Sequence, residues 1–170
     1  MGQFHRKENL LMKTLSFDFD NVAGLSLLYA IPVSSFPLVT CNGDGTCSID
    51  LADTDNIISI PIYRGDAFSH IESQELEDGG EMWDVAINGI IPKRCALNEA
   101  SLASLERGDW LVLSRDANGV VSLSGTSDVP LKFKHTRSSG SSGEINGSSF
   151  TFFGKQAEPS KLITTDITVI

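Results

Sequence analysis

Apolar and polar residues alternate with period two along most of this chain, and no other property constrains its fold as strongly. Leu15, Phe17 and Phe19 stand against Ser16, Asp18 and Asp20, Ile58, Ile60 and Ile62 against Ser59, Pro61 and Tyr63, and Ile163, Thr165, Ile167 and Val169 against Thr164, Asp166 and Thr168. Strands with one buried face produce this rhythm, so the chain is expected to be mainly β. Leu25 to Val33 reads as a more fully buried strand, closed by Pro32 and the serines after it. Pro61 cannot donate to a ladder, which puts its strand at an edge or a bulge.

Turn chemistry divides the pattern. CNGDGTC places Asn42-Gly43 and Asp44-Gly45 between apolar runs and is read as a loop tip. His70 to Glu77 and Glu81 to Pro92 flank Asp78-Gly79-Gly80 as a long hairpin, with Trp83, Val85 and Ile87 on an apolar face of the second arm. The first arm, HIESQELE, is so acidic that it is expected to be solvated or turned toward a partner. Trp110 to Ser114 and Val120 to Ser124 form a second hairpin around Asp116-Ala117-Asn118-Gly119, and Leu131 to His135 and Ser149 to Gly154 are further strands. RSSGSSGEINGSS between them has the composition of a flexible loop.

One helix is expected, from Asn98 to Arg107, with Asn98 as N-cap, Leu102 and Leu105 on one face and Gly108 as the stop. The elements sum to about ten strands and one short helix. The fold expected is an antiparallel β-sandwich or partly closed barrel with the helix (about 98–107) over one open edge or end. Residues 12–170 form a single β domain, preceded by a flexible extension over residues 1–11.

The 170 residues carry 22 acidic and 13 basic side chains, a formal charge of −9. That balance disfavours nucleic-acid binding, which rests on neutralising phosphates with Lys and Arg. No apolar run approaches the roughly 20 residues of a membrane helix, and the N-terminus lacks the apolar core of a secretory signal. The chain reads as made in the cytoplasm. Cys41 and Cys47 flank the Gly-rich turn and could pair under oxidation, although a cytosolic product favours free thiols; Cys95 is the third cysteine.

The search for chemistry returns no catalytic residue, no metal site and no cofactor. His5, His70 and His135 lie in unrelated contexts without metal-ligand spacing. Asp18, Asp20, Glu81 and Asp84 could be imagined as a hydrolase's carboxylate pair, but the polar faces of strands account for them. Asn42-x-Asp44-x-Thr46 with Asp53 at the twelfth position has the outline of a calcium loop, yet Cys47 occupies the place of the obligatory glycine. Trp83, Trp110, Phe133, Phe150 and Phe152 fall at core spacing with Phe17 and Phe19. Phe152 and Phe153 must point to opposite faces, which marks one of them for cover by the helix, a loop or another subunit.

Two stretches carry a resemblance: AGLSLLYAIPVSSF, and LERGDWLVLSRDANGVVSLSGTSDVPLKFKHTRSSGSSGEINGSSFTFFGKQ, the latter about a third of the chain. The order of helix, strand, D-x-N-G turn, strand, P-L-K-F, Ser/Gly loop and N-G-S-S-F-T-F-F-G resembles small tail-associated virion structural proteins of phages and prophages of Bacteroidetes, tail-tube-like in layout. The resemblance implies a virion protein, made in the bacterial host cytoplasm, that self-associates into rings, a hexamer above all, and meets neighbouring tail proteins. It binds no specific nucleic acid sequence and no membrane. An acidic wall would let DNA pass without binding it. Interface candidates on this reading are Ile71, Glu72, Glu75, Glu77 and Glu81 of the acidic hairpin, Phe153, and Ile167 and Val169 of the tail, with the 138–148 loop ordered by stacking. The alternative from another class is a stand-alone carbohydrate-binding β-sandwich, which would need two or more aromatics exposed together.

Overall fold

The computed structural model describes residues 22–35, 37–51, 54–62, 68–77, 80–92, 95–139 and 146–164. The strand expected at Leu15 to Phe19, the tail beyond Thr164 with Ile167 and Val169, and residues 140–145 of the Ser/Gly loop lie outside these residues.

Among the described residues eleven strands and one α-helix follow in chain order, with a 3-10 turn at Val33–Ser35: β1 (Leu25–Pro32), β2 (Leu38–Cys41), β3 (Thr46–Asp50), β4 (Ile58–Ser59), β5 (Ser69–Glu77), β6 (Gly80–Pro92), α1 (Ala96–Arg107), β7 (Trp110–Asp116), β8 (Val121–Ser124), β9 (Lys132–Ser138), β10 (Gly147–Gln156) and β11 (Lys161–Ile163). They form a seven-stranded sheet, in the order β2-β3-β11-β8-β7-β1-β4, and a four-stranded sheet, in the order β5-β6-β10-β9. The chain is mainly β, a sandwich-like fold with one short helix and no closed barrel. Every strand pair is antiparallel except β3 with β11, which run parallel. Pro61 follows β4, the outermost strand of its sheet, where a missing donor does no harm.

Alternation decides what each face buries. Leu28 and Ala30 of β1 and Val112 of β7 face Val85, Ile87, Phe150 and Phe152 of the four-stranded sheet, and Leu102, Leu105 and Trp110 complete this core. Tyr29 and Ile31, Leu111 and Leu113 point to the opposite face, where they pack with Cys47, Ile49, Leu123 and Ile163. The larger sheet therefore coils on itself around a second core, without closing, because β2 and β4 remain its edges. Phe133, Phe150 and Phe152 cluster in the first core at 4.9–5.8 Å between ring centres, Phe133 stacked on Phe150 and Phe152 set edge-on to Phe150. Gly89 is the gap these rings need: a Cβ there would lie 2.5 Å from Phe68 and 2.6 Å from Phe150.

The helix begins at Ala96, two residues before the expected start, with Cys95 rather than Asn98 at the N-cap and no side-chain capping bond. Burial of Leu102 and Leu105 holds it in place of a cap. The Trp110 indole N–H donates to the Leu105 carbonyl at 2.8 Å, which satisfies one of the open carbonyls of the last turn. Glu99 pairs with Arg137 at 2.9 Å, which ties the helix to β9.

Cys41 and Cys47 are joined by a disulfide, which corrects the leaning toward free thiols. Their positions leave little choice, because they face each other directly across the β2–β3 ladder with Cα atoms 4.0 Å apart. Cys95 is free and exposed.

Candidate functional site

The β5–β6 hairpin and the outer face of the four-stranded sheet make the most exposed apolar feature of the described surface. β5 and β6 pair from Ser69 with Asn88 to Glu77 with Gly80, while β10 accompanies β6 only as far as Gln156 with Trp83. The described ends of the two arms, residues 75–77 and 80–82, thus project beyond the neighbouring strand. Register fixes the side-chain directions. Val85 and Ile87 are fully buried, so their partners Glu72 and His70 point inward, and Leu76 and Glu81 share that parity at the projecting end. Past the rim of the sandwich no described element covers them, and Leu76 is 81% exposed.

The opposite parity forms the outer face. One row across it reads Ile71, Ala86, Phe153 and Lys132, with Ile71 54% and Phe153 37% exposed. Lys134 Nζ stands 4.8 Å from the centre of the Phe153 ring, within cation–π reach. Thr151, Asn88 and Ser69 form a neighbouring hydrogen-bonded row, in which the Thr151 hydroxyl donates to Asn88 at 2.8 Å. Lys155 meets Glu75 at 2.8 Å, and Lys132 pairs with Asp109.

HIESQELE, expected to be solvated or turned toward a partner, is exposed at Ile71, Ser73, Gln74 and Leu76 but turns His70 and Glu72 inward. The His70 side chain is 13% exposed and that of Glu72 21%, because both enter the gap between the sheets. His70 Nε2 lies 3.0 Å from Glu72 Oε1 and 3.3 Å from Ser124 Oγ; His70 Nδ1 lies 3.2 Å from Ser114 Oγ. Ser124 and Ser160 hydroxyls share a 2.6 Å hydrogen bond, and the Ser160 amide donates to Glu72 at 3.2 Å. With Glu72 ionised, this network suits a neutral ring that donates from Nε2 and accepts the Ser114 proton at Nδ1. Burial lowers the His70 pKa below the usual histidine value, and the nearby Glu72 charge opposes that only in part.

Beside His70 opens a cleft of about 340 Å³, lined among others by Val22, Leu25, Phe68, Ser69, Ser114 and Asn118. Ser114, His70 and Glu72 are connected as a hydrolase relay would be, but Ser114 sits mid-sheet between Leu28 and Ser122. Backbone amides there serve the ladder and do not converge on a developing oxyanion. Asp116 is the single carboxylate of the cleft lining among the described residues, and it accepts from the amides of Asn118 at 2.9 Å and Val120 at 2.8 Å.

The sequence candidates are thus scattered. Ile71 and Phe153 share the outer face, Glu75 borders it, and Glu81 lies at the projecting end. Glu77 ends β5 opposite Gly80, Glu72 turns inward, and Ile167 and Val169 fall outside the described residues. Glu81 and Asp84 differ in strand parity and form no facing pair; Asp18, Asp20 and Asp53 are not described. The Asp44 carboxylate accepts from the Thr46 hydroxyl at 2.6 Å and the Thr46 amide at 2.9 Å, bonds that hold its pKa below the usual range, which is turn chemistry. No three His, Cys, Asp or Glu side chains among the described residues are grouped to hold a metal, and no described helix is long and apolar enough to cross a membrane. The His70 network went unforeseen, yet counting back from the Asp78-Gly79 turn places His70 opposite Ile87, on the buried face. Compared with family models, curated proteins and solved structures, this chain finds no match.

Proposed function

We propose that this chain is a non-enzymatic structural subunit of a phage or prophage particle, a tail tube or tail-associated protein that acts in the virion by assembling with copies of itself. The observation that carries the reading is the projecting β5–β6 hairpin, which holds Leu76 in water beyond the body of the sandwich. An isolated molecule gains nothing from such an arm, whereas a neighbouring subunit could cover it. The resemblance in the helix-to-β10 stretch and the acidic balance point the same way. A carbohydrate-binding module draws less support, because Phe153 is the one exposed aromatic side chain among the described residues and makes no paired platform.

Light scattering over a concentration series, with negative-stain electron microscopy of the most concentrated samples, tests the reading. Rings or stacked tubes are the expected species. A strict monomer at millimolar protein would overturn it.

A further inference from the structure

The two apolar features of the four-stranded sheet point in opposite directions. Leu76 and Glu81 share the inward parity of Val85 and Ile87, while Ile71, Phe153, Lys132 and Lys134 share the outward one. A hairpin end therefore cannot fold back onto the Phe153 face of its own sheet. It can reach that face only on another copy.

Resting on the assembly reading above, we propose that the junction is heterologous: the hairpin end of one copy seats on the outer face of the next, with Leu76 against Phe153 and Ile71 and the Glu81 carboxylate meeting Lys134. The occupant is a second copy of this chain, and charge complementarity argues for it. At the hairpin end Glu81 shares the parity of Leu76 and has no ion pair among the described residues, whereas Glu75 has the other parity and is held by Lys155 of its own copy. On the receiving side Lys132 pairs with Asp109 and Lys155 with Glu75, which leaves Lys134 of β9 as the cation beside Phe153. In a chain of net charge −9, this cation is one that an acidic arm can meet by electrostatic attraction. The apolar pair supplies the buried centre and the charges its rim.

Because donor and acceptor surfaces differ, each copy offers one of each. Such contacts propagate head to tail and close into a ring when the rotation per step permits, or else continue as a filament. A two-fold dimer would instead use one patch twice.

Two blocked variants separate these cases. Leu76→Arg removes the hairpin's apolar group and sets a cation where it would face Lys134; Phe153→Asp with Lys134→Glu spoils the receiving face. All three residues lie on the surface, and circular dichroism verifies that each variant folds; Leu76→Ser and Lys134→Ala serve if the stronger changes do not. Each variant alone is expected to stay monomeric under conditions where the unaltered protein assembles, with association weakened at least about tenfold. An equimolar mixture should give a heterodimer that grows no further, since one intact hairpin and one intact face remain per pair. If both variants assemble like the parent, or the mixture stays monomeric, the hairpin-to-face junction is wrong while assembly itself stands. If the parent never associates, the assembly reading fails first.

Discussion

At the scale of single residues, His70 shows how a polar side chain in a core makes stability depend on pH. Burial favours the neutral ring, so the folded protein binds its proton less readily than the unfolded chain, whose histidine titrates near 6.5. The unfolded state then holds more protons as pH falls. The contribution is complete above the unfolded pKa and is lost as pH drops through that value toward the lower folded one. Thermal melting at pH 7.5 and 5.5 should show the loss on acidification, and His70→Gln should flatten that part of the profile. Gly89 makes a steric prediction. Gly89→Ala drives a methyl into Phe68 and Phe150 and should cost about 1–3 kcal/mol in urea unfolding. Gly43→Ala, with nothing within 4 Å of the added carbon, should stay within about 0.5 kcal/mol of the parent.

At the scale of elements, period-two patterning located nearly every described strand, because a half-buried strand must alternate. It located Phe152 and Phe153 on opposite faces for the same reason. Composition misled where it replaced parity: HIESQELE looks solvated residue by residue, yet its alternate positions His70 and Glu72 enter the sandwich once the hairpin register is fixed. The helix start was misplaced because Asn98 is a better cap than Cys95 by propensity, while tertiary burial of Leu102 and Leu105 decides where the helix lies. The inward network was beyond composition altogether, since Ser114, Ser124 and Ser160 come from three separate segments. The Cys41–Cys47 bridge is likewise an element-level device, clamping the β2–β3 hairpin. Cys41→Ser with Cys47→Ser should lower unfolding free energy by about 2 kcal/mol, the loop-closure value for so short a ring, and leave the far-ultraviolet spectrum β-rich.

For the whole molecule, charge is the property the sequence states without ambiguity. At −9, the chain should not retard duplex DNA in a gel at moderate salt, whatever its oligomeric state. Retardation that weakens steeply with added salt would instead reveal a basic surface strong enough to hold phosphate, and would remove the argument from an acidic conduit. The proposed assembly surface was only partly legible. Ile71, Glu75, Glu81 and Phe153 were chosen from sequence, but their division between the projecting end and the outer face depends on register. Lys134, which completes the receiving face, carries no local signal in the sequence; the outer parity of β9 brings it over Phe153.

The position of β11 has a consequence for how the molecule comes apart. Among the described residues, the β2–β3 hairpin joins the rest of its sheet only through this three-residue strand, and the Thr164 amide reaches the Cys47 carbonyl across 117 residues of chain. Contacts so distant in sequence are expensive to establish and form late. The molecule should therefore carry a seam. Amides of β2, β3 and β11 should exchange with solvent together, as one cooperative unit of lower opening free energy than β1 and β7, whose protection should report the global unfolding of the domain.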